Sequence, residues 1–173
     1  MIAIVNTDLN WGIGKEGDLQ VHISNDLKRF KELTTGKVII YGSKTLETYP
    51  KQKALPNRHN IILSRRQELI VENAEIVHTI KDLLKRIDQL KEEKNYKDND
   101  FIVVGGESIY KQLLPYCTAC YVTKMQIELE ADAYFPNLNE LSDWSLESES
   151  EKYFDSKNQI YYSFLIYKKV KEQ

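Results

Sequence analysis

The sequence predicts an α/β fold, with a mostly parallel central sheet, helices on both faces and an antiparallel C-terminal hairpin. Two observations carry this. From the first residue to residue 127, short apolar runs alternate with stretches of helical periodicity, the order expected of parallel strands joined by crossover helices. Residues 144–146 and 160–170 instead look like two long strands with no helix between them. A length of 173 residues favours one domain spanning 1–173, and there is no internal repeat or low-complexity segment.

Residues 1–7 read as a buried strand. Residues 8–23 carry Gly12, Gly14 and Gly17 without periodicity and read as a long loop, which in a compact domain is usually functional or disordered. Over 26–33, Leu27, Phe30 and Leu33 recur at helical spacing, with Ser24 or Asn25 as cap. Residues 37–41 form a short strand ended by Gly42, and 43–49 a helix. Strands are expected at 60–64 and 75–78, followed by an amphipathic helix over 80–94 built on Leu83, Leu84, Ile87 and Leu90. A polar loop at 95–100 leads into an apolar strand at 101–104, closed by Gly105-Gly106. A helix over 108–114 stops at Pro115, and 121–127 is a further strand.

The bulk properties exclude several classes. A net charge of −2 with scattered basic residues offers no electrostatic footprint for nucleic acid. The apolar opening at 1–5 breaks off at Asn6, too short for a signal-peptide core. No run approaches the roughly 20 apolar residues needed to span a bilayer. A cytoplasmic protein without a membrane or nucleic-acid partner is expected, and a monomer. Cys117 and Cys120 form a C-x-x-C, but His22, His59 and His78 offer no second ligand pair, and the motif does not open a helix after a strand. Two reduced, half-buried thiols and no metal site are expected.

In open α/β sheets, ligands bind beyond the carboxyl ends of the strands. Three elements sit at such ends: Gly105-Gly106 before the helix near Ser108, Gly42-Ser43-Lys44-Thr45 running into a helix, and Ser64-Arg65-Arg66. Small residues admit a phosphate to the backbone, and free amides at a helix start supply donors. Two such starts plus a basic strand end suit a dinucleotide carrying an extra phosphate. Neither the P-loop nor the G-x-G-x-x-G pattern is present. Asp26 falls in the first turn of its helix amid Val21, Ile23, Leu27 and Phe30. It is either an acid complementing the helix dipole or a carboxyl in an apolar cleft with a raised pKa, fit to anchor a protonated ring or assist proton delivery. Arg58, after Leu55-Pro56-Asn57, is either a surface charge or a bidentate carboxylate ligand.

Taken together and in order, these segments resemble dihydrofolate reductase. The resemblance is carried by Trp11-Gly12-Ile13-Gly14-Lys15, Asn25-Asp26-Leu27-Lys28-Arg29-Phe30, and residues 37–45. It continues through 55–64, through Val103-Val104-Gly105-Gly106-Glu107-Ser108-Ile109-Tyr110, and through Tyr121-Val122-Thr123 and 131–136. It implies NADPH as cofactor, dihydrofolate as substrate, and hydride transfer to C6 with a proton arriving at N5. Asp26 then resembles the acid that binds the pterin and promotes protonation, with Thr123 hydrogen-bonded to it. Ile4, Val5, Leu27, Phe30, Leu55 and Val104 would wall the substrate pocket, and Arg58 would grip the glutamyl α-carboxylate. Residues 12–19 would be a mobile loop closing over nicotinamide, and Gly105-Gly106 a cis peptide beside it. Lys44, Thr45, Ser64 and Arg65 would hold the pyrophosphate and the 2′-phosphate. Asn6, Ile13, Gly14, Leu19, Gly42, Ser43, Leu63, His78, Glu107, Ser108, Ile109 and Tyr110 would complete the cofactor site.

The chain departs from that pattern at several positions. Gln20, Val21 and Ser24 stand where the family commonly has Pro, Trp and Pro, and the missing indole removes a donor that usually orders water near the acid. Ser43 replaces a common arginine, leaving Lys44 and Arg65 to compensate, and Ala131 replaces a common glycine. Two other readings are a pyrimidine reductase of flavin synthesis and a catalytically silent module that binds NADPH or folate.

Overall fold

The computed structural model describes residues 1–171. The chain opens with β1 (Ile2–Thr7), a short β2 (Gly12–Gly14) and α1 (Ser24–Thr34). Next come β3 (Val38–Gly42), α2 (Ser43–Thr48), β4 (His59–Leu63) and β5 (Ala74–Val77). The middle holds α3 (Ile80–Lys94), β6 (Phe101–Gly105), α4 (Glu107–Leu113) and β7 (Ala119–Met125). It ends in β8 (Ala133–Tyr134), β9 (Trp144–Glu149), β10 (Tyr153–Asp155) and β11 (Ile160–Lys169).

Among the described residues one sheet runs in the order β10-β11-β7-β1-β6-β3-β4-β5, with β9 also on β11. From β7 to β5 every neighbour is parallel, and β11 is antiparallel to β7, β9 and β10. Strand side chains alternate between faces, and the apolar runs feed two packed layers. Ala3, Val5, Val38, Ile40, Ile61, Leu63, Phe101 and Val103 meet α3 and α4 through Leu83, Ile87, Leu90, Ile109 and Leu113. On the other face Ile39, Tyr41 and Ile62 meet Leu46 of α2, while Ile2 and Ile102 pack with Ile4, Val104 and Tyr121. The expected α/β architecture, with helices on both faces, is the observed one.

Several details differ from expectation. α1 begins at Ser24 itself; Ile23 precedes it and no side chain caps the helix. The stretch 8–23 is not all loop, because β2 pairs with β8 and Lys15 bridges to Asp18. β7 starts at Ala119, where Ala119 and Cys120 pair with Ile2 and Ala3, and stops at Met125 as Gln126 turns to donate to the Tyr161 carbonyl. The C-terminal pair is not a simple edge hairpin: β11 lies between β7 and both β9 and β10, with a bulge at Ile166/Tyr167.

Cys117 and Cys120 are fully buried, not half-buried. Burial pushes the Cys117 thiol up to about 11 and Cys120 higher still, so neither thiolate forms near neutrality. Among the described residues no helix is long and apolar enough to cross a membrane, and no three or more of His, Cys, Asp and Glu gather to hold a metal.

Candidate active site

Parallel pairing puts the carboxyl ends of β1, β6, β3 and β4 on one edge of the sheet, and a cleft of about 1100 Å³ opens beyond them. Its wall is laid down by the strand ends: Asn6 from β1, Gly42 ending β3 with Ser43 after it, Leu63 ending β4 with Ser64 after it, and Gly105 ending β6 with Gly106 after it. Every residue expected at the cofactor lines this cleft. Ile13, Gly14 and Leu19 come from the 12–19 segment, Lys44 and Thr45 from α2, Arg65 and His78 from the β4 and β5 ends, and Glu107, Ser108, Ile109 and Tyr110 from α4.

Glycine is required here by contact and by backbone. A Cβ on Gly42 would lie 2.9 Å from Ile109 Cγ1. Gly105 has φ +132°, a region L side chains rarely adopt; its bond to Gly106 is cis. Gly42 and Gly106 precede α2 and α4 with no side-chain cap, so the first-turn amides stay available to a ligand. His78 Nδ1 lies 2.8 Å from the Ser64 carbonyl, and the Arg66 amide donates to Ser64 Oγ, fixing the basic turn.

Asp26 stands on the other side of β1. Asn6 and Thr123 are register partners on β1 and β7, so their side chains leave the same face side by side. Thr123 Oγ1 donates to Asp26 Oδ1 at 2.5 Å, and Asn6 Nδ2 donates to Oδ2 at 2.9 Å. Burial raises the Asp26 pKa above the ordinary carboxylate value, outweighing these two hydrogen bonds and the Arg29 guanidinium one turn on. Asp26 is thus a partly buried carboxyl held from two strands and not a freely solvated charge at the start of α1.

Of the expected substrate residues, Val5 and Val104 line the cleft, while Ile4, Leu27, Phe30, Leu55, Arg58 and Thr123 lie outside its lining, as does Asp26. Val104 packs against two buried groups, the Ile39, Tyr41, Leu46 and Ile62 cluster that Leu55 also joins and the Ile2, Ile102 and Ala119 cluster that Ile4 also joins. The apolar side of α1 is not sealed by protein: Leu27 is 43% exposed and Phe30 only partly buried. Arg58 is partly buried with its Nε unpartnered, and burial lowers its pKa despite the nearby Tyr49 hydroxyl. Asn60 builds that corner, its Nδ2 donating to the Leu55 and Arg58 carbonyls and its Oδ1 accepting from the Leu55 amide and the Tyr41 hydroxyl.

A family model described as dihydrofolate reductase matches residues 1–169. The chain belongs to the dihydrofolate reductase family. It is 37% identical to the dihydrofolate reductase of Bacillus subtilis (strain 168) over 94% of this chain and 90% of that one. It is 36% identical to that of Staphylococcus haemolyticus over 97% and 95%. The solved dihydrofolate reductase from Enterococcus faecalis complexed with NADP(H) and RAB-propyl superposes with TM-score 0.83 at 30% identity, over 97% of this chain and 95% of that one.

In this dihydrofolate reductase fold the 12–20 segment is tied down by groups that the sequence reading missed. Buried Asp8 accepts from the Asn10 and Gly12 amides with Oδ1, and from the Leu129 amide and Gln20 Nε2 with Oδ2. Gln20 Nε2 also donates to the Glu130 carbonyl, and the Glu16 amide donates to Asp132. Asp8 ahead of Asn10 is a local turn signal of the kind side-chain carboxylates make two residues on. The contacts from 129–132 are tertiary and leave no such trace. The hold of Asn6 on Asp26 was also missed, since the sequence reading placed Asn6 against the cofactor.

Proposed function

We propose that this chain catalyses the NADPH-dependent reduction of 7,8-dihydrofolate to 5,6,7,8-tetrahydrofolate, with hydride transfer to C6 and protonation at N5, in support of one-carbon metabolism. The observation that carries the reading is Asp26, a carboxyl of raised pKa clasped by Thr123 and Asn6, with Asn6 itself lining the cleft.

The cleft fits a phosphorylated dinucleotide. Uncapped amides open α2 and α4, and Lys44, Thr45, Ser64 and Arg65 are the groups that would hold the pyrophosphate and 2′-phosphate. When bound, NADPH supplies the hydride. The chain supplies the rest. Asp26 accepts N–H donors of the pterin edge with the acceptor sites left on its two oxygens, and its raised pKa keeps a proton within reach of the ring. Ile4, Val5, Leu27, Phe30, Leu55 and Val104 give the flat heterocycle and its aryl extension an apolar wall. Arg58, with a buried unpartnered Nε, grips the glutamyl α-carboxylate. The 12–19 segment excludes water over the reacting end. One domain acting as a cytoplasmic monomer, without membrane or nucleic-acid partner, completes the reading.

The test is direct. Purified protein with NADPH and dihydrofolate should lose absorbance at the nicotinamide band, and an antifolate should compete. Binding of both ligands without turnover would instead favour a silent module, and turnover of a ribosylaminopyrimidine in place of dihydrofolate would favour the pyrimidine reductase.

A further inference from the structure

Asn6 makes a polar contact that the family pattern did not announce. A carboxylate has two oxygens with about two acceptor sites each. Here one site on each oxygen is taken by a neighbouring strand, Thr123 on Oδ1 and Asn6 on Oδ2. Because Asn6 and Thr123 are partners in the β1–β7 register, the two donors are spaced by the sheet itself. They fix the carboxylate plane across two strands. The second acceptor site of each oxygen is left open.

The assignment of the Asn6 amide follows from this partner. Nδ2, not Oδ1, must face an ionised carboxylate, since Oδ1 has no hydrogen to give. That orientation leaves Asn6 Oδ1 buried with no hydrogen-bond partner. A buried acceptor without a donor is destabilising, and such exceptions in a folded protein call for a reason. An alanine or valine in β1 would avoid that cost and pack as well. The gain that offsets it is the hydrogen bond to Asp26. The chain also has Val21, in the segment before α1, where an indole donor near the acid is common, and Asn6 provides a donor from β1 instead.

We propose that Asn6 is a positioning residue for Asp26: paired with Thr123, it orients the carboxylate and sets the pH at which that acid takes up its proton. The role assigned to the acid rests on the reading above; the control of its titration does not. The groups facing the acid are few. On α1 itself there is Arg29, whose guanidinium lies 3.9 Å from the centre of the Phe164 ring of β11. Asn6 faces it from β1, and Thr123 from β7; Tyr110 of α4 senses its charge. Arg29 in turn faces Tyr121 of β7 and Tyr153 of β10.

The experiment is the titration of the Asp26 side-chain carbon by NMR in the free, full-length protein, with kcat followed against pH in the same variants. Removing the donor in Asn6→Ala should move the Asp26 midpoint alkaline by about one pH unit, the worth of a hydrogen bond to a charged group. Asn6→Asp places a second carboxylate against the first and should move it further in the same direction. The alkaline limb of kcat should follow in that order while KM for NADPH changes less. A midpoint in Asn6→Ala equal to the parent's overturns the proposal, as does one that moves in Asn6→Asp in the acid direction. If one variant does not fold, the other decides. A parent without turnover would sink the proposed function and leave the titration result standing on its own.

Discussion

Gly12 and Ala131 approach so closely that a Cβ on the glycine would lie 2.7 Å from the Cβ of the alanine. The same point is 2.9 Å from Gln20 Nε2 and 3.1 Å from Asp8 Oδ1. This contact locks the start of the 12–19 segment against the 129–132 segment. Gly12→Ala must push one of them aside, which costs about 1–3 kcal/mol by the usual range for overpacking. We expect a lower denaturation midpoint, faster NADPH release and a lower kcat. Adding Ala131→Gly should restore much of the loss, because the clash is a shared one. Measured by urea melts and stopped-flow release, a double variant no better than the single one would show that the clash lies elsewhere.

Asp26→Asn separates stability from activity. Burial raises the Asp26 pKa, so between the ordinary carboxylate pKa and the folded value the native state binds more protons than the unfolded chain. Stability then falls with rising pH across that window. The contribution is fully present below the unfolded pKa and lost as pH rises through the folded one. An amide at 26 carries no such penalty. The variant should therefore be the more stable protein at neutral pH, with the gain shrinking in mild acid, while its turnover drops steeply. In the parent the neutral acid is the proton-bearing form, so the rate should fall as pH rises through the Asp26 midpoint. Urea melts at two pH values and a kcat profile check both signs; equal stability of the two proteins at neutral pH would contradict the burial argument.

Ser43 lines the cleft at the start of α2, where a common family residue is arginine. A guanidinium there would add a fork of donors for a phosphate. Ser43→Arg should tighten NADPH relative to NADH by about tenfold, roughly one charge-assisted hydrogen bond, with kcat little changed. Competition of the two cofactors in a fluorescence titration measures the ratio, and an unchanged ratio would mean that Lys44 and Arg65 already saturate the phosphate site.

The parts of this fold legible in the sequence are those written locally. The apolar run at 101–104 and the pair Gly105-Gly106 announce a buried strand and a tight exit, and both are there. The spacing of Leu83, Ile87 and Leu90 announces α3, and all three are buried. Asp26 could be singled out because an acid stands among apolar neighbours. What was not legible depends on register or on contacts between distant segments. β2 and β8 are three and two residues long, too short for periodicity, and exist because they pair with each other. Ala119 is a weak strand former, and it and Cys120 join the strand because β1 lies alongside. The partnership of Asn6 with Thr123 follows from that same register and has no trace in either local sequence.

Arg58 gives a test that separates substrate recognition from chemistry. Its Nε is buried without a partner, and burial lowers its pKa, so the protein alone leaves this cation under-satisfied. Asn60 holds the Arg58 carbonyl and the Leu55 amide and carbonyl, so the corner stays in place whether or not the guanidinium is engaged. A carboxylate would supply the missing acceptor, and a hydrogen bond between charged groups contributes about 1.5–3 kcal/mol. Arg58→Leu should therefore raise KM for dihydrofolate by about 10–100-fold with a smaller effect on kcat, since the contact is made equally in the ground and transition states. For a reduced pterin lacking the glutamyl carboxylate, parent and variant should be alike. The variant should also melt no lower than the parent, because it loses an unpaired buried donor and gains apolar surface. Equal sensitivity of both substrates to the substitution would mean that Arg58 shapes the pocket wall and does not hold the carboxylate.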